Sequence, residues 1–266
     1  MKSQPIAALQ TKDRLVRDLT TLGVPEGSTL MVHSSLSALG WVLGGPSTVV
    51  RAVSRVLGDD GTLAMPAATP QVGAPETWVG PDVPEEWLPV IRDHQPVFDL
   101  RTTPTTLGAI PETFRRWPGT LRSDHPLESV CARGPRAEAI VREHPLAFSE
   151  GLGGPFERLY DLDAWILLLG VGFNRCTALH HAESRAPSRR VMRVRYPTGE
   201  GDQRVWHEVE NVADDNDTLF PEVGCDYLAA KSPRQGNVGA ASSVLFPMRE
   251  LVDFATPWFE DRLRSS

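Results

Sequence analysis

The chain has 266 residues, of which 41% are hydrophobic and 23% charged, with a formal net charge of −7. A chain of this size buries roughly 70–75% of its unfolded surface, and with no internal repeat and no dividing linker it reads as one domain over 1–266. The acidic balance and the lack of a basic run exclude nucleic acid as a partner and favour a cationic small molecule. No run of eighteen apolar residues and no apolar leader core is present, so a cytoplasmic protein without membrane contact is expected.

In chain order, Leu15, Leu19 and Leu22 repeat at helical spacing up to Gly23, and residues 28–33 (STLMVH) read as a buried strand. Pro46 suits a first helical turn and Gly58 a stop, so 46–57 is predicted helical, with Val49, Val53 and Val56 on one face. A strand at 62–65 completes a strand, helix, strand unit, which implies a parallel, right-handed crossover and a layered α/β core.

From 66 to 104 the pattern becomes rich in proline and acid, with Glu76, Asp82, Glu85, Glu86, Asp93 and Asp99 among Trp78, Trp87 and Phe98. Two readings stand: a substrate-facing wall over 67–104, or a surface excursion of solvated carboxylates. Beyond it the sequence predicts a helix at 107–116, a strand at 128–132 and a helix at 135–143. A buried strand then runs into glycines at 164–172 and a short helix succeeds it. Segments 191–196 and 204–210 around a turn at 198–202 make a hairpin, and the end is helical, with Leu251, Phe254 and Trp258 on one face.

The segment at 164–186 holds the sharpest chemistry. A parallel strand that ends in glycines delivers the next residues to the carboxyl edge of its sheet, where open α/β folds bind ligands. His180 and Glu183 are three apart and share a helix face, whereas His181 points about 100° away. A carboxylate beside an imidazole makes a general base, although helix-surface pairs of this kind also occur without any role. Adjacent histidines diverge, so a metal site is not expected. Cys176 is four residues before His180 and could form a thiol nucleophile with it, or serve as a small buried hydrophobe. The three cysteines, Cys131, Cys176 and Cys225, make no CxxC pair, so reduced thiols are expected.

Two further clusters stand out. Ser34 and Ser35 after the first buried strand, with Gly44 and Gly45 before a helix, can hold an anionic or carbonyl-bearing ligand, or form a plain turn and a capped helix. His125, fixed in extended backbone by Pro126, reads as a structural hydrogen-bonding residue.

The stretches VHSSLSALGWVLGGPSTVV, FDLRTTPT, GAIPETFRRWPGTLRSDHPLESVCARGP, ILLLGVGFNRCTALHHAE and GAASSVLFPMRELVDF, in this order over nearly the whole chain, resemble the aminoglycoside 3-N-acetyltransferase family. The resemblance implies a layered α/β/α core with a central, mostly parallel sheet, distinct from the GCN5-related acetyltransferases; RQGNVG at 234–239 misses the loop register of that superfamily. It implies transfer from acetyl-CoA to the 3-amino group of the deoxystreptamine ring of an aminoglycoside, and so antibiotic resistance. By position, His180 is the general base with Glu183 beside it, Ser34, Ser35 and Leu36 meet the pantetheine arm, and Thr106 and Ser123 are further coenzyme contacts. Glu210 binds the antibiotic near the reacting amine. Asp99, Glu76 and Asp93 are acidic candidates from the long connection, with Asp99 alternatively holding its own loop. After Glu210 the chain reads NVADDND where relatives place another acid, and 67–93 does not align with any one subgroup. An acyltransferase for a different amine, or a binding protein without turnover, are the alternatives, and either a monomer or a homodimer fits.

Overall fold

A computed structural model describes residues 9–75, 78, 83–199, 204–213 and 216–264. Strand β1 (Leu9–Gln10) leads into helix α1 (Lys12–Leu22), whose start is capped by the Thr11 hydroxyl accepting from Arg14 N–H. Gly23 ends that helix in the left-handed region, as its position after the last periodic leucine predicts. Strand β2 (Thr29–Ser34), strand β3 (Trp41–Val42), helix α2 (Gly45–Leu57) and strand β4 (Thr62–Pro66) follow. The first buried strand thus sits one residue later than its sequence pattern indicates, and α2 begins at Gly45.

Among its described residues the connection after β4 contains a short α-helix, α3 (Leu88–His94), that its prolines and acids did not reveal. Next come α4 (Ala109–Arg115), β5 (Leu121–Arg122), β6 (Val130–Arg133), α5 (Ala137–Val141), α6 (Pro155–Asp161), β7 (Trp165–Leu169) and α7 (Ala178–Arg185). The hairpin of β8 (Val191–Thr198) and β9 (Val205–Val212) stands as its own two-stranded sheet. Helix α8 (Leu219–Lys231), strands β10 (Arg234–Val238) and β11 (Ala241–Pro247), and helix α9 (Met248–Arg264) close the described chain.

Seven strands form the central sheet in the order β10-β11-β7-β2-β4-β6-β5. Five of them point the same way, while β11 and β6 run against their neighbours. Side-chain alternation divides the core into two layers. Leu30, Val32, Leu167 and Leu169 face α1, α2 and α4, whereas Met31, Ile166 and Leu168 face α5 to α9. This is the layered α/β/α arrangement, with direct parallel pairing confined to the three middle strands β7, β2 and β4.

The parallel pairing fixes what happens at one edge. Ser34 lies opposite Leu169, and Ser35 N–H donates to the Leu169 carbonyl at 3.0 Å, so the chains leaving β2 and β7 start side by side. Gly170 makes this possible. Its φ is 70°, and a Cβ there would lie 2.5 Å from Ala38 Cβ and 3.0 Å from Ala241 Cβ. The hairpin joins the same edge: Ala74 N–H donates to the Arg195 carbonyl, and Tyr196 packs with Val72 and Leu127.

Gly170→Ala is therefore expected to cost about 1–3 kcal/mol through backbone strain alone, with the contact to Ala38 adding to it. Denaturant unfolding of the variant at unchanged m-value checks this; a stability equal to the parent would contradict the packing described.

Candidate active site

Three segments meet at the carboxyl edge of the middle strands: the turn after β2, the turn and helix after β7, and the connection after β4. In the first, Ser35 Oγ lies 3.1 Å from Ser37 Oγ, and Leu36 is half-buried against the α2 side of the core. Ser34 Oγ is buried with no hydrogen-bond partner among the described residues. A buried hydroxyl without a partner at the end of a strand is costly unless something arrives to use it. That suits a ligand laid along the Ser34–Leu36 turn.

The second segment carries the histidines. After Gly170, residues Phe173–Arg175 make one 3-10 turn and α7 begins at Ala178. Phe173 stacks on Phe246 and fills the place where a side chain on Gly224 would project, so α8 seats closely against this turn. His180 is half-buried, with its ring edge-on to Phe220 at 4.7 Å. His181 turns inward, where Nδ1 donates to the Glu150 carbonyl at 2.7 Å. The two imidazoles diverge as helix geometry requires.

Glu183 is fully buried and both of its oxygens accept from Arg190, Nε to Oε1 at 2.9 Å and Nη2 to Oε2 at 3.2 Å. A bidentate guanidinium is the partner that makes a buried carboxylate tolerable. Sequence spacing places Glu183 on the face of His180; the structure adds that its charge is committed to Arg190, which the run SRR at 188–190 did not reveal. The pair ties α7 to the chain entering β8.

Glu210 is exposed on β9, across the hairpin from Arg193, and its carbonyl accepts from Phe148 N–H at 2.9 Å. Thr106 is exposed, with N–H donating to the Ala68 carbonyl, so it stands beside the exit of β4. Asp99 is exposed, and its Oδ1 accepts from Arg101 N–H, Thr102 N–H and the Thr102 hydroxyl. These bonds, the Thr102 side chain first, hold its carboxyl below the usual range. Asp99 thus holds its own loop, the alternative its position had left open. Asp93 is exposed in the last turn of α3. Glu76 and Asp82 lie outside the described residues, as do the hairpin residues 200–203 and Asp214 and Asp215 of the NVADDND run.

Ser123 is not brought to this opening. It is fully buried, its hydroxyl accepting from Val130 N–H and lying 2.8 Å from His144 Nδ1. His125 is structural: Nδ1 accepts from the N–H groups of Leu127 and Glu128, and its ring lies 4.5 Å from that of His144. Arg122, beside them, donates to the carbonyls of Ala67, Leu100 and Thr103 and to the Ser129 hydroxyl, with Phe98 under its guanidinium. It pins the long connection to β5, and burial lowers its pKa to about 10. Cys176 is fully buried, which pushes its thiol up to about 12. A thiol so raised is not an ionised nucleophile near neutrality.

The residues that sequence spacing did not single out are Arg190, Ser149, Glu150, Asn211, His144 and His33. His33 occupies β2 one position before Ser34, buried, with Nε2 unpartnered among the described residues and its pKa pushed down to about 4 by desolvation. No helix among the described residues is long and apolar enough to cross a membrane.

The chain matches the family model described as aminoglycoside 3-N-acetyltransferase over residues 31–260. It is 39% identical over 252 residues to the prophage-derived aminoglycoside N(3')-acetyltransferase-like protein YokD of Bacillus subtilis, covering 94% of this chain and 92% of that protein. It is 38% identical over 269 residues to aminoglycoside N(3)-acetyltransferase VII of Streptomyces paromomycinus, covering 95% and 92%. Among solved structures, the crystal structure of YokD superposes with a TM-score of 0.92 over 98% of this chain and 97% of that one, at 37% identity. The binary complex of AAC-IIIb with CoASH superposes at 0.83 over 96% and 98%, with 33% identity.

Burial gives a pH dependence whose sign is fixed. His33, His125, His144 and His181 all have pKa values lowered first by desolvation. The unfolded chain takes up protons near 6.5 that the folded chain refuses, so stability present above that pH is lost as pH falls from there toward 4. His33, at about 4, and His144, at about 3, each add a slope of up to about 1.4 kcal/mol per pH unit within that window, and His125 and His181 add to it in the same direction. Unfolding free energy measured between pH 7.5 and 5 is expected to fall with several protons' slope, and His33→Gln to reduce it by one; a flat profile would refute the assignment.

Proposed function

The chain belongs to the aminoglycoside 3-N-acetyltransferase family, and from that premise we propose that it moves the acetyl group of acetyl-CoA directly onto the 3-amino group of a deoxystreptamine ring, with His180 as general base. It is an acyltransferase of the N(3)-acetyltransferase class. In this reading it works in the cytoplasm as one domain over 1–266, with 67–104 as a wall toward the antibiotic. The observation that carries it is the shared edge: the Ser34–Leu36 turn and the helix bearing His180 issue from the paired strands β2 and β7.

The thioester lies along the turn, where the Ser34 hydroxyl, unpartnered among the described residues, marks a place for a polar ligand. Ser35 N–H is committed to Leu169, so the donors for the developing oxyanion are Leu36 N–H and the hydroxyls of Ser34 and Ser35. One such donor is worth about 3–4 kcal/mol at the transition state. The antibiotic arrives as a polycation, and Glu210, with carboxylates of the wall such as Asp93, attracts and orients it. Thr106, at the exit of β4, borders the same space. Ser123 supports the site from below, through His144, in place of touching the coenzyme.

The 3-amino group reacts as its free base, and its nitrogen forms the bond to the acetyl carbon while His180 takes the amine proton, directly or through one water. Collapse of the tetrahedral intermediate breaks the carbon–sulfur bond, and the imidazolium returns the proton to the leaving thiolate. Glu183 acts by holding its helix against Arg190. The buried, un-ionised thiol of Cys176 supports a route with no acyl-enzyme.

Thiol release from acetyl-CoA in the presence of a panel of aminoglycosides tests the reading. His180→Gln is expected to lower kcat by about 10²–10⁴-fold, while Cys176→Ala leaves turnover essentially intact. Undiminished turnover in the histidine variant would remove the base, and a comparable loss in the cysteine variant would remove direct transfer. Thiol release with other amines and none with the drugs would reassign the acceptor.

A further inference from the structure

Residues 148–151 run between the helix that carries His180 and the strand that carries Glu210, and touch both. On the strand side, Phe148 N–H donates to the Glu210 carbonyl at 2.9 Å, and Asn211 Nδ2 donates to Ser149 Oγ at 3.1 Å. On the helix side, His181 Nδ1 donates to the Glu150 carbonyl at 2.7 Å, and a Cβ on Gly151 would lie 3.4 Å from Ser184 Oγ. A carbonyl only accepts, so this bond fixes the proton of His181 on Nδ1.

The segment itself is tightly held. Ser149 Oγ donates to Glu150 Oε2 at 2.6 Å, and the Ser149 carbonyl accepts from His144 Nε2 at 2.9 Å. Gly151 N–H donates to the Phe148 carbonyl at 2.7 Å, and Phe148 adopts φ 48°, a left-handed conformation that bulky residues take only where their surroundings impose it. A four-residue rail so held transmits position from one element to the other.

We propose that His181 and Asn211 are positioning residues, which through the rail at 148–151 set the helix bearing His180 against the strand bearing Glu210. Each is the immediate sequence neighbour of the residue it positions. Each directs its own side chain to the rail, His181 from the inner face of α7 and Asn211 from β9. Because the base and the acid that orients the amine must converge on one nitrogen, a shift of α7 relative to β9 acts on the chemistry without touching the coenzyme turn. This inference rests on the reading of His180 as base and Glu210 as antibiotic ligand.

The test is steady-state acetylation by His181→Leu, His181→Asn, Asn211→Ala and the Leu/Ala double variant, with KM taken separately for antibiotic and acetyl-CoA. The asparagine amide can take the place of the Nδ1 donor. His181→Leu and Asn211→Ala should each lower kcat/KM for the antibiotic about ten- to a hundredfold, the scale of a displacement near 1 Å, with KM for acetyl-CoA unchanged. His181→Asn should recover most of that loss, and the double variant should be little worse than the worse single one, since both cut the same rail. Parental kinetics in His181→Leu and Asn211→Ala, an asparagine variant as damaged as the leucine one, or additive losses would overturn the proposal. Thermal unfolding and coenzyme A binding establish that each variant folds, and should His181→Leu not fold, Asn211→Ala and Ser149→Ala decide by the same criteria. His180→Gln run in parallel separates the two readings: activity retained there defeats the base itself, whereas activity lost there and kept in the rail variants defeats only the rail.

Discussion

The site depends on the register between two parallel strands. With Ser34 opposite Leu169 and Ser35 N–H bonded to the Leu169 carbonyl, β2 and β7 end at the same height. A slip of one residue would send Ser34 to the other face and carry the glycine turn away from Ala38. Interleaved apolar side chains of two layers oppose such a slip, because it would also exchange Leu167 and Leu169 with Ile166 and Leu168 between the two cores. The hydrophobic effect over the whole sheet thereby fixes a spacing needed only at its edge.

Polar groups sealed beneath that edge then decide orientation. Arg122 is largely buried with no carboxylate bonded to it among the described residues, surrounded by carbonyls, one hydroxyl and a phenyl face. Its pKa near 10 still leaves it cationic at neutral pH, so the carbonyls it gathers from 67, 100 and 103 cannot drift apart without exposing that charge to an apolar interior. Glu183 presents the complementary case, a carboxylate with no exposure that is stable because Arg190 covers both oxygens. Both groups are buried, yet each holds an element whose other residues reach the surface.

The core was legible in the sequence because its signals are local and periodic. The leucines of α1, the valines of α2 and the run WILLL of β7 each carry the period of their element, and the resemblance to the family rested on long motifs around them. Strand β10, RQGNV, has four of its five residues exposed at the sheet edge and shows no alternation. Helix α8 contains Pro221 and Gly224, which local rules read as breaks, whereas the glycine is there to admit Phe173. Tertiary contacts decided both. Spacing put His180 on a helix and Glu210 on a strand, and the structure has them on α7 and β9. It could not reveal that Glu183 meets Arg190, that Ser123 is sealed under His144, or that Asp99 closes its own loop, since each outcome depends on chain segments that meet only in the folded state.

The two histidines of α7 illustrate why adjacency in sequence misleads about role. One imidazole stands half-buried against Phe220, while its neighbour, turned through the helical angle, meets a backbone carbonyl and a ring of Tyr160. Burial keeps the second one neutral, and a neutral imidazole with its proton fixed on Nδ1 is a rigid donor, not a carrier of protons. The same residue type thus meets two environments on one short helix, one half-buried and one sealed against a backbone carbonyl, according to the face it occupies. The second is fixed because Glu150, thirty-one positions earlier in the chain, offers its carbonyl at that height.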